Sequence, residues 1–168
     1  MELGVGDLVV YGTHGIGRVA AREQKVVLGT KQEVIVLELE DGLTITLPLA
    51  RAQEQLRPLV GKADLRRIRE ALRQDRELSS DPWLSRRRDL LAKLSGGDPV
   101  ELAEIVGDGA RRERERRAKG SKPTLSAGER EVFMKARKLL SEEIARARGI
   151  SPEEADAWIE EQLARDEG

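Results

Sequence analysis

The chain has 168 residues, with 30 Lys and Arg against 31 Asp and Glu, a formal net charge of -1. That length makes one ordinary domain or two small ones and allows at least one buried core, and the balanced charge confines any nucleic-acid binding to local patches. The absence of cysteine excludes disulfides, thiolate zinc sites, iron–sulfur clusters and a cysteine nucleophile, and the single histidine, His14, excludes HExxH and two-histidine metal sites.

From Asp7 to about Val60 the chain reads as short strands punctuated by glycine: Asp7–Tyr11, Gly17–Ala21, Lys25–Leu28, Glu33–Leu39 and Leu43–Leu47. Glu40-Asp-Gly42 is a hairpin turn, Leu43, Ile45 and Leu47 alternate with Thr44 and Thr46 as in a half-buried strand, and Pro48 ends that strand. From Ala63 onward, Leu, Ala and Ile recur at three-to-four spacing among charged residues, which predicts about five helices. Leu65, Ile68 and Leu72 mark the first. Asp81-Pro82 and Asp98-Pro99 each read as an N-cap followed by proline at the first helical position, Gly96-Gly97 as a stop, and Ser126…Glu129 and Ser151…Glu154 as capping boxes. Residues 78–82 and 119–124 read as linkers or loop tips. The expected architecture is α+β: a small β-barrel domain over residues 1–62 and a compact helical domain over 63–168.

No run approaches the roughly 18 to 20 apolar residues of a membrane span, and the N-terminus lacks the regions of a signal peptide. The expectation is a cytoplasmic protein with no membrane partner. The glycine-rich stretch Tyr11–Gly17 lacks both the GxGxxG spacing and a terminal Gly-Lys-Ser/Thr, so it reads as a turn between strands, and His14 as a surface turn residue. No catalytic residue, metal site or cofactor is expected.

Positive charge is concentrated locally, since residues 111–122 carry seven basic and two acidic side chains. The run Arg111–Arg117 alternates in sign and reads as a solvated helix face stitched by i, i+4 pairs. Arg86-Arg87-Arg88 follows Trp83 directly, and guanidiniums beside one large ring suit phosphate contact with the ring at a base or sugar. Helical spacing alone favours another role for Trp83, because Leu90 and Leu94 fall within about 20° of it on the helical wheel and the ring then joins the apolar stripe. Phe133 and Trp158 also read as packing residues.

Several segments occur together in order: Val5-Gly-Asp-Leu-Val-Val-Tyr11 with His14-Gly15, the strand from Gly42 to Pro48, Trp83-Leu-Ser-Arg-Arg-Arg88, and Leu125-Ser-Ala-Gly-Glu-Arg130 with Lys135-Ala-Arg-Lys-Leu-Leu140. In this the chain resembles, over nearly its whole length, the CarD/CdnL family of bacterial transcription regulators. The resemblance implies a Tudor-like N-terminal barrel bound to the β subunit of RNA polymerase, and a helical domain at promoter DNA near the upstream edge of the -10 region. It implies that Trp83 is a minor-groove wedge, reversing the packing preference, and gives phosphate contacts to Arg86 and Arg88, with Arg87 added by proximity. The polymerase-binding edge implied is Thr44, Ile45, Thr46 and Leu47, with Lys25 nearby; Thr46 stands where many members carry a basic residue.

The expected protein is a monomeric, non-enzymatic regulator, associated with the nucleoid through polymerase, that stabilises the open promoter complex. Residues 63–168 hold 23 basic and 23 acidic side chains, so free DNA affinity should be weak and the polymerase tether necessary. The alternative is a protein-interaction adapter that makes no direct DNA contact.

Overall fold

The computed structural model describes residues 2–74 and 76–164, and the chain divides into two compact units, Met1–Leu59 and Val60–Gly168.

The first unit is a five-stranded antiparallel sheet built from β1 (Leu8–Tyr11), β2 (Ile16–Val27), β3 (Thr30–Leu39), β4 (Thr44–Pro48) and β5 (Leu56–Pro58). The spatial order is β4-β3-β2-β1-β5, which leaves β4 and β5 as the two edges. Two of the sequence-predicted strands, Gly17–Ala21 and Lys25–Leu28, merge into the single strand β2, with Leu28 in the turn that follows it, because pairing with β3 continues from Gly17↔Leu39 to Val27↔Thr30. The register shifts between Val19 and Ala21, so Ala20 forms a bulge, and an extra residue of this kind bends a strand. Glu40-Asp-Gly42 makes the β3–β4 turn, with Gly42 at φ 96°. A helix absent from the sequence reading, α1 (Leu49–Gln55), follows Pro48 and packs on β3 and β4. Leu3, Val9, Val19, Ile35, Leu37, Leu47, Ala52 and Leu56 form the core.

The second unit contains five helices: α2 (Lys62–Arg73), α3 (Trp83–Gly96), α4 (Pro99–Ala118), α5 (Ala127–Arg148) and α6 (Pro152–Ala164). Helix α5 packs against α3, α4 and α6, and α2 packs against α4 and α6. Ile68, Leu72, Leu102, Val106, Ala136, Leu140, Ile144 and Ile159 are the centre of the core. The helix ends follow the cap chemistry of the sequence at three of four sites. Asp98 accepts from the backbone N–H of Val100 at 2.8 Å and of Glu101 at 3.1 Å. Ser126 and Glu129 bond reciprocally, as do Ser151 and Glu154. The fourth site differs: Pro82, not Asp81, is the N-cap of α3, and no side chain caps it.

Candidate functional site

In the helical unit the site is organised around the start of α3. Trp83, its first residue, is half-buried and packs against the core alongside Leu90 and Leu91. The indole rests on Gly128 in the first turn of α5, where a Cβ would stand 2.8 Å from Trp83 Nε1 and 3.0 Å from Cζ2. Its ring also faces Arg86, whose guanidinium carbon is 5.3 Å from the ring centroid. The helical-wheel reading and the exposed-ring reading therefore meet in one residue, anchored along one edge and partly open to solvent.

Arg86 is held in place twice over. Its Nε donates to the Asp81 carbonyl at 3.0 Å and its Nη2 to Glu129 Oε2 at 2.9 Å, and only 12% of its side chain is exposed. Glu129, with 6% of its side chain exposed, also accepts from Arg116 Nη1 at 2.7 Å and from the Ser126 N–H at 3.0 Å, and Arg112 Nε lies 3.9 Å away. Burial alone would push the Glu129 carboxyl up, but the hydrogen bonds from Arg116, Ser126 and Arg86 outweigh it and hold the pKa at about 2. Burial, then repulsion from Arg86 and Arg116, lowers the pKa of Arg112. Three guanidiniums thus converge on one carboxylate behind the tryptophan.

The expected solvated face over Arg111–Arg117 is corrected by this arrangement. Arg117 does pair with Glu113 at i, i+4, at 2.7 Å, but Arg111 is buried and Arg112 and Arg116 are half-buried, because the buried Glu129 carboxylate and backbone carbonyls outside α4 engage them. Arg111 bonds Asp108 and the Gln74 carbonyl, Arg112 donates to the Ser79 carbonyl at 3.1 Å, and Arg76 pairs with Asp108 at 2.7 Å and Glu104 at 3.0 Å. Residues 78–82, read from sequence as a linker or loop tip, therefore belong to a segment pinned to α4, and that segment sets the position of Trp83.

Arg87 and Arg88 are exposed, as is Leu84 between them and the ring, with 81% of its surface accessible. Sequence reasoning counts Leu84 with Leu90, Leu91 and Leu94 among the apolar residues of this helix and gives neither it nor Gly128 a role at the site. One residue after Trp83, Leu84 lies about 100° off the apolar stripe, and that angle alone marks it as an apolar side chain aimed outward. Gly128 carried no signal beyond its place in the capping-box segment.

In the first unit, β4 is an edge strand paired only with β3, in the register Val34↔Pro48 to Glu38↔Thr44. Leu39 N–H donates to the Leu43 carbonyl at 2.8 Å, and hydrogen-bonded pairs alternate along an antiparallel ladder. Leu37↔Ile45 and Ile35↔Leu47 are accordingly the bonded pairs, and the N–H and C=O of Thr44 and Thr46 point away from the sheet. Leu47 is buried and Ile45 packs on the core, whereas the Thr44 and Thr46 side chains are exposed. Lys25 sits opposite Gln32 on the two-stranded β2–β3 ribbon, two residues beyond the Val34↔Pro48 end of β4, exposed and 3.6 Å from Glu23. His14 is an exposed turn residue with its ring 5.0 Å from Tyr11.

Among the described residues, no cluster of His, Asp or Glu is placed to hold a metal ion, and no helix is long and apolar enough to cross a membrane. A sheet with edge strands β4 and β5 and a helical unit with an arginine-backed ring make this a two-domain protein. Comparison with known families agrees: residues 67–160 match the model of the CarD C-terminal domain and residues 3–60 that of the CarD-like/TRCF RID domain. The chain belongs to the CarD family of transcription regulators, whose RID domain is an RNA polymerase-interacting domain. The family is one of transcription factors. The chain is also 26% identical over 156 residues, 92% of its length and 97% of the relative's, to the Bacillus subtilis (strain 168) protein described as "Putative transcription factor YdeB".

Proposed function

We propose that this regulator binds the β subunit of RNA polymerase through the β4 edge and stabilises the open promoter complex by placing α3 at the upstream edge of the bubble. Residues 1–62 serve as the polymerase-binding domain and 63–168 as the DNA-binding domain. Thr44 and Thr46 offer outward backbone donors and acceptors to an added strand, Ile45 and Leu47 hold that edge on the core, and Lys25 supplies a charge beside it.

The observation that carries the DNA reading is the start of α3, where half-buried Trp83 and exposed Leu84 stand beside the exposed guanidiniums of Arg87 and Arg88. Apolar side chains flanked by cations suit a distorted minor groove, where the ring meets an unstacked step and the guanidiniums meet phosphates. Arg86 has another part in this reading. Its guanidinium is already engaged by Glu129 and Asp81, so it positions the indole, and the phosphate contacts fall to Arg87 and Arg88.

Held at polymerase, a contact that favours the open form by about 1.4 kcal/mol shifts the closed-to-open equilibrium about tenfold. The test is the lifetime of heparin-challenged open complexes with cognate polymerase alone, with the parent protein, and with Trp83→Ala and Arg87→Gln/Arg88→Gln variants of verified fold. Longer lifetimes with the parent, lost in both variants, are expected. Binding to polymerase with unchanged lifetime would favour an adapter without DNA contact.

A further inference from the structure

A second cationic surface lies away from Trp83. Lys62, Arg66 and Arg69 project from α2 at i, i+4 and i+7, and with Leu65, Arg148 at the end of α5, and Trp158 of α6 they line a groove of about 310 Å³. Lys62, Arg66, Arg69 and Arg148 are all exposed, and among the described residues none of their side chains has a hydrogen-bonding or ion-pair partner. Most inward-facing arginines of this unit are paired: Arg76, Arg86, Arg111, Arg116 and Arg137 each reach a carboxylate within 3 Å. The groove therefore gathers four uncompensated positive charges in a domain whose total charge is balanced.

We infer that this groove is a second DNA-contacting surface, which takes the phosphate backbone of duplex DNA. The extension rests on the reading that the helical domain works at promoter DNA. Charge complementarity selects a polyanion, since four like charges share the groove without a neutralising carboxylate. The ring decides between duplex and single strand. A single-strand site needs an open aromatic face for base stacking, but Trp158 is half-buried and Arg148 covers a face at 5.8 Å from the ring centroid. Phosphate contact is what the exposed cations can offer.

Location makes the two surfaces separate contacts. Gly128, the seat of Trp83, and Arg148 stand at opposite ends of α5, and at 1.5 Å per residue they are about 30 Å apart along its axis. That span approaches one turn of B-form DNA, about 34 Å. A duplex touching both would be held in register over about a turn, so a domain with little net charge gains phosphate contacts without becoming a general polycation.

The experiment measures binding of the full chain to a labelled promoter duplex by fluorescence anisotropy over a salt series, without polymerase. The variants are Arg66→Gln/Arg69→Gln/Arg148→Gln, the same three positions changed to lysine, and Arg87→Gln/Arg88→Gln; the helical signal and unfolding midpoint verify each fold. The triple glutamine variant is expected to weaken binding about tenfold or more at low salt and to lower the log–log salt slope by about 3, with lysine restoring both. Parent-like affinity and slope in the triple glutamine variant would overturn the groove while leaving the α3 contact standing if the Arg87/Arg88 variant is impaired. No duplex binding by the parent at low salt, even at the roughly millimolar concentration that a tether supplies, would also overturn the groove, and the open-complex lifetime then judges the α3 contact separately. Tighter binding to a poly-glutamate probe than to duplex, abolished by the same three substitutions, would instead assign the groove to an acidic protein segment.

Discussion

The indole of Trp83 lies so close to Gly128 that a single added methyl group there would stand 2.8 Å from its Nε1. Gly128→Ala is therefore a probe of the ring's position that leaves the ring itself intact. Alanine gains roughly 0.5 to 1 kcal/mol as a helix former, whereas overpacking costs roughly 1 to 3 kcal/mol, so a net loss of about 1 kcal/mol is expected. In a Trp158→Phe background the emission of Trp83 should shift to the red as the ring is lifted from its seat, and open-complex lifetime should fall with it. Unchanged emission would show that the ring has another seat.

Leu84 separates DNA contact from packing more cleanly than Trp83 does, because 81% of its surface is accessible. Leu84→Ser should leave stability within about 0.5 kcal/mol of the parent, as exposed surface substitutions usually do. If the start of α3 enters a distorted groove, the same change removes an apolar contact and shortens open-complex lifetime severalfold. Parent-like lifetimes would confine the contact to Trp83 and the arginines.

Glu129 ties the helical unit to acid conditions. Its carboxyl is held at about 2 in the folded protein, against 4.5 for an ordinary glutamate, so the unfolded chain takes up its proton first as the pH falls. The stabilisation is therefore complete above about pH 4.5 and is lost as the pH falls toward about 2, by roughly 1 to 3 kcal/mol. Glu129→Gln leaves Arg86, Arg112 and Arg116 converging without an anion and should cost about 3 kcal/mol at neutral pH. Urea unfolding of parent and variant at several pH values checks both, and the variant should lose part of the acid-dependent slope between pH 4.5 and 2.

What could be read from the sequence was local. Cap chemistry placed the starts of α4, α5 and α6, because Asp98, Ser126 and Ser151 bond backbone groups two or three residues away. Alternation placed β4, with Ile45 and Leu47 inward and Thr44 and Thr46 outward. The long-range partners were not legible. Glu129 satisfies its own helix start with one oxygen and gathers Arg86 and Arg116 from 43 and 13 residues away, and nothing local distinguishes that glutamate from an ordinary capping residue. The Arg111–Arg117 run misled for the same reason: its alternating signs suggest pairing within the helix, and Arg111–Asp108 is such a pair, but Gln74, Ser79 and Glu129, all outside α4, draw Arg111, Arg112 and Arg116 inward. Trp83 was ambiguous in sequence because it has two environments, a glycine seat on one side and solvent on the other.

The β4 edge can be tested by proline, provided the position is chosen from the ladder. The N–H of Ile45 belongs to the bonded pair with Leu37, so Ile45→Pro removes an internal hydrogen bond and sets the ring against β3. Loss of polymerase binding in that variant would report only a broken sheet. Thr46 has its N–H directed outward and its side chain exposed, and an edge strand accepts proline where the missing donor faces solvent. Thr46→Pro should therefore change stability by less than about 1 kcal/mol while denying an added strand one backbone donor and crowding its approach. A net hydrogen bond contributes about 1 kcal/mol and the pyrrolidine ring adds a steric cost, so affinity for the isolated β subunit should fall about tenfold. Calorimetric titration of folded parent and variant measures it. Equal affinities would place the polymerase contact elsewhere on this domain, with the exposed β2–β3 ribbon that carries Lys25, Val26 and Leu28 the next surface to alter.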